Sequence, residues 1–210
     1  MSHAAASVAV HGVEDAERSR FGLWLFLLSE ILLFGGFLSS YVMARWGNSV
    51  CMWGAPAWPQ PGYTGGLMLA LTNTVVLITS SFTMARAVLA ARENDSSACA
   101  RYLRWTVILG AGFLAIKAVE YIVKIEHGYF PRSELMAANP GLTIFVSYYF
   151  ALTGFHALHV IAGLIWNGLL WKRANGPWQS STGHKVELAG LYWHFVDVVW
   201  VFLFPLFYLI

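Results

Sequence analysis

Five apolar runs, at residues 21–44, 66–90, 102–125, 141–171 and 186–209, take up most of this chain and leave only short loops and a polar tail. A helix needs about 20 mainly apolar residues to cross a bilayer, so each run is long enough for one crossing. The fourth exceeds one crossing and is expected to tilt or to project beyond the bilayer. Hydrophobic residues make up 58% of the 210 residues and charged residues only 11%, too little charged surface for a soluble domain. The runs are continuous and lack the ten-residue alternation of a transmembrane barrel. The expected fold is an all-α integral membrane protein, a bundle of five transmembrane helices.

Two segments follow from this reading. Residues 1–19 form a polar N-terminal tail, expected to be mobile or surface-bound; they lack the compact apolar stretch of a cleaved leader. Residues 20–210 form a single five-helix transmembrane domain. Arg18, Arg20, Arg86, Arg92, Arg101, Arg104, Lys172, Arg173 and Lys185 fall on one side, against Arg45, Lys124 and Arg132 on the other. That asymmetry puts the N-terminus in the cytoplasm and the C-terminus on the periplasmic or external side. Tyr41 and Trp46, Tyr102 and Trp105, and Trp171 and Trp178 are expected at the membrane interfaces. Cys51 and Cys99 fall on opposite sides, which rules out an intramolecular disulfide between them. The loop at 47–65, with Pro56, Pro59 and Pro61 among Trp53 and Trp58, reads as an ordered external cap. The net charge of +2 comes from loops facing anionic lipid and implies no nucleic-acid partner.

Ionisable groups at membrane depth cost roughly 2.5–3.5 kcal/mol each on insertion scales, so each one present needs a use or a partner. Glu30 sits in the first run. It reads equally as a proton-exchanging or headgroup-facing carboxylate and as a protonated glutamate bonded to a neighbouring helix. Lys117 and Glu120, three residues apart, suit an intrahelical ion pair, which is favoured over a proton path. His156 and His159 share the fourth run. Hydrogen-bonded core histidines fit better than metal or haem ligands, because no closed ligand set accompanies them. In the last run Glu187, Gly190, His194 and Asp197 fall within about 80° of arc at ~100° per residue, giving one polar stripe. Asn73, Ser80 and Ala87 recur on the second run at helical spacing, a face of small and polar residues for close packing. Gly35, Gly36 and Pro205 interrupt regular helix locally. The sequence has no phosphate-binding loop, GxSxG, HExxH or CxxC, so no catalytic, cofactor or metal site is expected on the chain itself.

Four of these segments together resemble a known family. The last run, ELAGLYWHFVDVVWVFLF, is similar to the signature of subunit III of haem–copper cytochrome c oxidases. TGFHALHVIAG resembles that family's histidine-bearing helix, GLWLFLLSEILLFGG its glutamate-bearing helix, and KAVEY at 117–121 the segment between. They occur in the family's order over about residues 20–210. The resemblance implies a non-catalytic bundle, with haems and copper on partner subunits and none on this chain. It implies a role in stabilising the core subunit, holding structural phospholipid and sustaining proton uptake. The implied partners are oxidase subunit I as the main contact, subunit II, a small subunit IV, membrane phospholipids and a respiratory supercomplex. Glu30 would correspond to the family's carbodiimide-reactive glutamate, and His156, His159, Glu187, His194 and Asp197 to its internal polar network. Many members have two more helices at the N-terminus. The five-helix form points to a bacterial plasma (inner) membrane.

Other readings remain. One is subunit III of a quinol oxidase or the accessory subunit of a nitric-oxide reductase, although the YWHFVDVVW form leans towards cytochrome c oxidases. Another is an independent transporter or proton channel relaying protons through Glu30, Lys117, Glu120, His194 and Asp197. Against that stands the lack of an internal repeat.

Overall fold

The computed structural model describes residues 2–49, 66–129, 140–178 and 180–209. The loop at 50–65, with Cys51 and the proline-rich cap, and Arg132 lie outside them. Five helices follow one another: α1 Ser2–Ser49, α2 Leu67–Arg92, α3 Ser96–Glu126, α4 Pro140–Ala174 and α5 Ser180–Tyr208. Each contains a stretch long and apolar enough to cross a membrane. The helices extend beyond the apolar runs except at the start of α2 and the end of α5, which fall one residue inside them. α1 is helical from Ser2, so the backbone of the N-terminal tail continues the first run, and Gly35, Gly36 and Pro205 lie within unbroken helix.

Packing sorts the helices into a ring and an appendage. α2 packs on α3, α3 on α4, α4 on α5 and α5 back on α2, closing a four-helix bundle. Among the described residues, α1 packs only on α4 and α5. Its stretch at 21–44 is apolar nearly all round, and Phe21, Trp24, Leu25, Leu28, Ile31 and Leu32 remain on its surface. Such a helix must meet lipid or another chain.

The centre of the ring is Trp193 of α5, fully buried. Its indole lies against Gly110 of α3 and Gly163 of α4, where an added Cβ would sit 2.8 Å from ring carbons in both cases. Its Nε1 donates to Ser80 Oγ of α2 at 3.1 Å. One side chain therefore touches all four ring helices, and the two glycines supply the room. The face of α2 that carries Asn73, Ser80 and Ala87 is buried as expected, with Leu77 and Met84 between them. Tyr41 is fully buried against neighbouring helices: its ring packs on Tyr148 and Phe207, and its hydroxyl lies 3.4 Å from the Leu206 carbonyl.

The α2–α3 turn is short and fixed by its own polar residues. Asn94 takes a left-handed backbone (φ 58°), which Asn tolerates better than most side chains. Asp95 caps α3 by accepting from the Ala98 amide at 2.9 Å and from Ser97 Oγ at 2.8 Å. Those hydrogen bonds, the Ala98 amide first, hold its carboxyl below the ordinary value of 3.8.

Candidate functional site

Four polar constellations lie inside or at the rim of this bundle. Each of the ionisable residues singled out from the sequence belongs to one of them, apart from His156.

The first joins α1 to α4. His159 Nε2 lies 3.0 Å from Glu30 Oε2, and the two side chains are largely shielded. His159 Nδ1 meets the Phe155 carbonyl at 2.8 Å. A carbonyl only accepts, so Nδ1 carries hydrogen. The Nε2–Oε2 contact then needs one proton between the two groups, either on the imidazole or on the Glu30 carboxyl. The ring is steadied by the edge of Phe34, and Tyr192 donates to the His159 carbonyl at 3.0 Å. Glu30 is thus bonded to a neighbouring helix, one of the two arrangements its position allowed.

The second joins α3, α4 and α5. Lys117 and Glu120 form the expected ion pair at 2.9 Å, but it is the core of a larger cluster. Lys117 Nζ also donates to the hydroxyls of Tyr149 at 3.1 Å and Tyr208 at 3.0 Å, which occupies its three hydrogens. Glu120 accepts from Tyr149 and Tyr208 and pairs with Lys124 at 3.0 Å. Lys124, counted from the sequence among the external charges, is buried on α3 with its Nζ 3.6 Å from the centre of the Tyr149 ring. The cluster holds two lysines and one carboxylate. Aromatic rings, including Trp200 at 5.0 Å from Lys117 Nζ, face the excess cation. Sequence reasoning missed Tyr149, Tyr208 and Lys124. The i, i+4 spacing of Glu120 and Lys124 was the one signal available for any of them.

His156, three residues from His159, points elsewhere. It stacks on Trp200 with 5.4 Å between ring centres and meets the edge of Phe113. Its ring nitrogens have no hydrogen-bond partner among the described residues. The two histidines share no site. Among the described residues no three His, Cys, Asp or Glu side chains gather to hold a metal ion.

The polar stripe of α5 divides in two. Glu187 accepts from Arg92 of α2 at 2.7 Å and Arg20 of α1 at 3.1 Å, and so straps both flanking helices to α5 at one rim of the bundle. Further along, His194 Nδ1 meets Ser81 Oγ of α2 at 2.7 Å. Asp197 lies one turn on. It is buried, lines a cavity of about 210 Å³, and neither carboxylate oxygen has a hydrogen-bond partner among the described residues.

Comparison with known proteins bears on the whole chain. Residues 2–210 match the family described as Cytochrome c oxidase subunit III. The chain is 38% identical over 203 residues to Cytochrome c oxidase subunit 3 of Synechocystis sp., a match covering 95% of this chain and 78% of that one. It is 33% identical to Heme-copper oxidase subunit I+III of Aeropyrum pernix, over 92% of this chain and 23% of that longer protein. It is 29% identical to Cytochrome bo(3) ubiquinol oxidase subunit 3 of Pseudomonas aeruginosa, over 95% of this chain and 88% of that one.

Proposed function

Because the chain belongs to the cytochrome c oxidase subunit III family, a multi-pass subunit of haem–copper oxidases in the plasma membrane, we propose that it acts as a non-catalytic support for the oxidase core. The haems and copper reside on partner chains, with the subunit I type as the main contact and a subunit II and a small subunit IV as further ones. The similarity to a protein whose name joins subunits I and III supports that first contact, since fused chains work side by side. The N-terminus is cytoplasmic and the C-terminus external, with Arg20, Arg92 and Glu187 at the cytoplasmic rim. Lys124 belongs to the buried cluster, which leaves only Arg45 and Arg132 as basic residues outside and strengthens the charge asymmetry.

The observation that carries the supporting role is where the ionisable groups go. Lys117, Glu120 and Lys124 neutralise one another inside the bundle, and Glu187 straps three helices together at its rim. Such pairs orient helices and do not form a continuous relay. The Glu30–His159 contact is different: it shares one proton across the largely shielded α1–α4 contact, which suits proton exchange with the core's supply. Structural phospholipid would lie along the exposed flank of α1.

Deleting the chain from the host tests this role. The remaining oxidase should keep its haems and its initial rate of oxygen reduction, but take up protons more slowly and inactivate sooner during turnover. Loss of initial turnover with haems retained would contradict a supporting role. The electron donor is cytochrome c on this reading. A quinol donor, as the name of the Pseudomonas relative implies for that protein, would show as activity with quinol and none with cytochrome c.

A further inference from the structure

Asp197 is more than nine-tenths buried, yet both its carboxylate oxygens lack a partner among the described residues. It lies about 24 Å from the start and about 17 Å from the end of the Ser181–Tyr208 span at 1.5 Å per residue, which is mid-depth in a ~30 Å hydrocarbon core. The cavity it lines sits between α2 and α5 and opens sideways through a rim of Ile78, Val198 and Val201, all half exposed.

Three kinds of occupant can be weighed. A lipid headgroup does not reach mid-depth, and acyl chains offer no donor. Water would fit by size, at about 30 Å³ per molecule, but a held water needs two to four polar partners. Ser81, His194 and Asp197 could supply them, but a water there leaves the apolar rim of Ile78, Val198 and Val201 to lipid, the outcome that the cross-linking below reads. A side chain from another membrane helix meets every condition: it is apolar along the rim and carries a donor at one depth. An interhelical hydrogen bond of this kind is a common means of joining membrane helices.

The shape of the surface agrees. α1 and α2 flank the exposed face of α5 without touching each other, and Glu187 holds both at one end through Arg20 and Arg92. Val198, Val201 and Phe202 run along the floor between them, with a second hollow of about 410 Å³ on the α1 side. We propose that this α2–α5 face is the docking surface for a transmembrane helix of another oxidase subunit, which donates a hydrogen bond to Asp197. The choice of partner rests on the functional reading above.

The test uses the whole oxidase in its native membrane, with p-benzoylphenylalanine replacing Ile78 or Val201 as a light-activated cross-linker. Val119 and Ile122 on α3, similarly exposed, serve as controls. The expected product is a covalent adduct between either rim position and one other oxidase subunit, at least five-fold stronger than from α3. In the same preparation Asp197→Val should lower that adduct several-fold, while Asp197→Asn, which can still accept, keeps most of it. Adducts with lipid alone at Ile78 and Val201, or equal subunit adducts from α3, would overturn the docking surface while leaving the family-level function intact. If no haem-bearing chain co-purifies with the unmodified protein, both fall.

Discussion

His159 Nε2 and Glu30 Oε2 lie 3.0 Å apart across the α1–α4 contact, with the other imidazole nitrogen already committed to the Phe155 carbonyl. The bond between them therefore depends on one proton and not on a fixed pair of charges. A glutamine at position 30 can donate its amide hydrogen to a neutral imidazole and keep the contact; a leucine cannot. Glu30→Gln should assemble normally and start oxygen reduction at nearly the parental rate. Glu30→Leu should weaken the docking of α1 by about 1 kcal/mol, the scale of a membrane interhelical hydrogen bond. Hydrogen exchange along α1 in detergent would read the difference. Abolished initial turnover in Glu30→Gln would contradict a role outside the reaction centre.

The Glu120 cluster makes a sharper case. Two buried lysines face one carboxylate, so Glu120→Gln leaves both without a counter-charge. Breaking a buried ion pair from one side typically costs about 3–5 kcal/mol. Glu120→Gln should unfold at markedly lower temperature, and adding Lys124→Met should recover part of the loss by removing one orphaned cation. A single variant as stable as the parent, followed by thermal unfolding in detergent, would contradict the cluster as described.

Gly163 gives a steric test. An added methyl meets the Trp193 ring at 2.8 Å, and that ring is closed in by Gly110 and bonded to Ser80. Gly163→Ala should destabilise the bundle by about 1–3 kcal/mol, as overpacking does. Trp193→Phe in the same chain should relieve most of the clash while losing the bond to Ser80. Unchanged stability of Gly163→Ala would mean that the indole does not fill the ring centre.

Glu187 is partly shielded, but the arginines it straps are more than half exposed. Exposed pairs contribute about 0.2–1 kcal/mol and weaken with salt. Glu187→Gln should loosen the rim of α1 and α2 modestly in dilute buffer, and the difference from the parent should shrink at 1 M salt, measured as protection of the α2–α3 turn from proteolysis. A loss independent of salt would assign Glu187 a packing role instead.

The helices and the small-residue face of α2 could be read from apolar runs and helical spacing, because bilayer thickness and helix rise set both. The site was legible by residue and obscure by partner. Glu30 and His159 both stood out as costly at membrane depth, but nothing in their separation along the chain announced that they meet. His156 and His159 could be placed on one run, but not their surroundings: His156 packs on Trp200 and Phe113, away from the Glu30 contact of His159. Tyr149 and Tyr208 looked like ordinary apolar-helix aromatics until their hydroxyls were seen on Glu120. Lys124 was counted only as an external charge at the end of the third run, because its pairing with Glu120 one turn earlier went unread.

Membership of a working oxidase is the central claim, and one measurement addresses it directly. The protein should be purified through a tag on this chain in mild detergent, and the preparation examined by reduced-minus-oxidised visible spectroscopy with mass spectrometry of its chains. Haem bands together with a large subunit I-type chain, in fixed proportion to this one, are the expected result. A colourless protein that stays folded alone would contradict the assignment and favour an independent transporter.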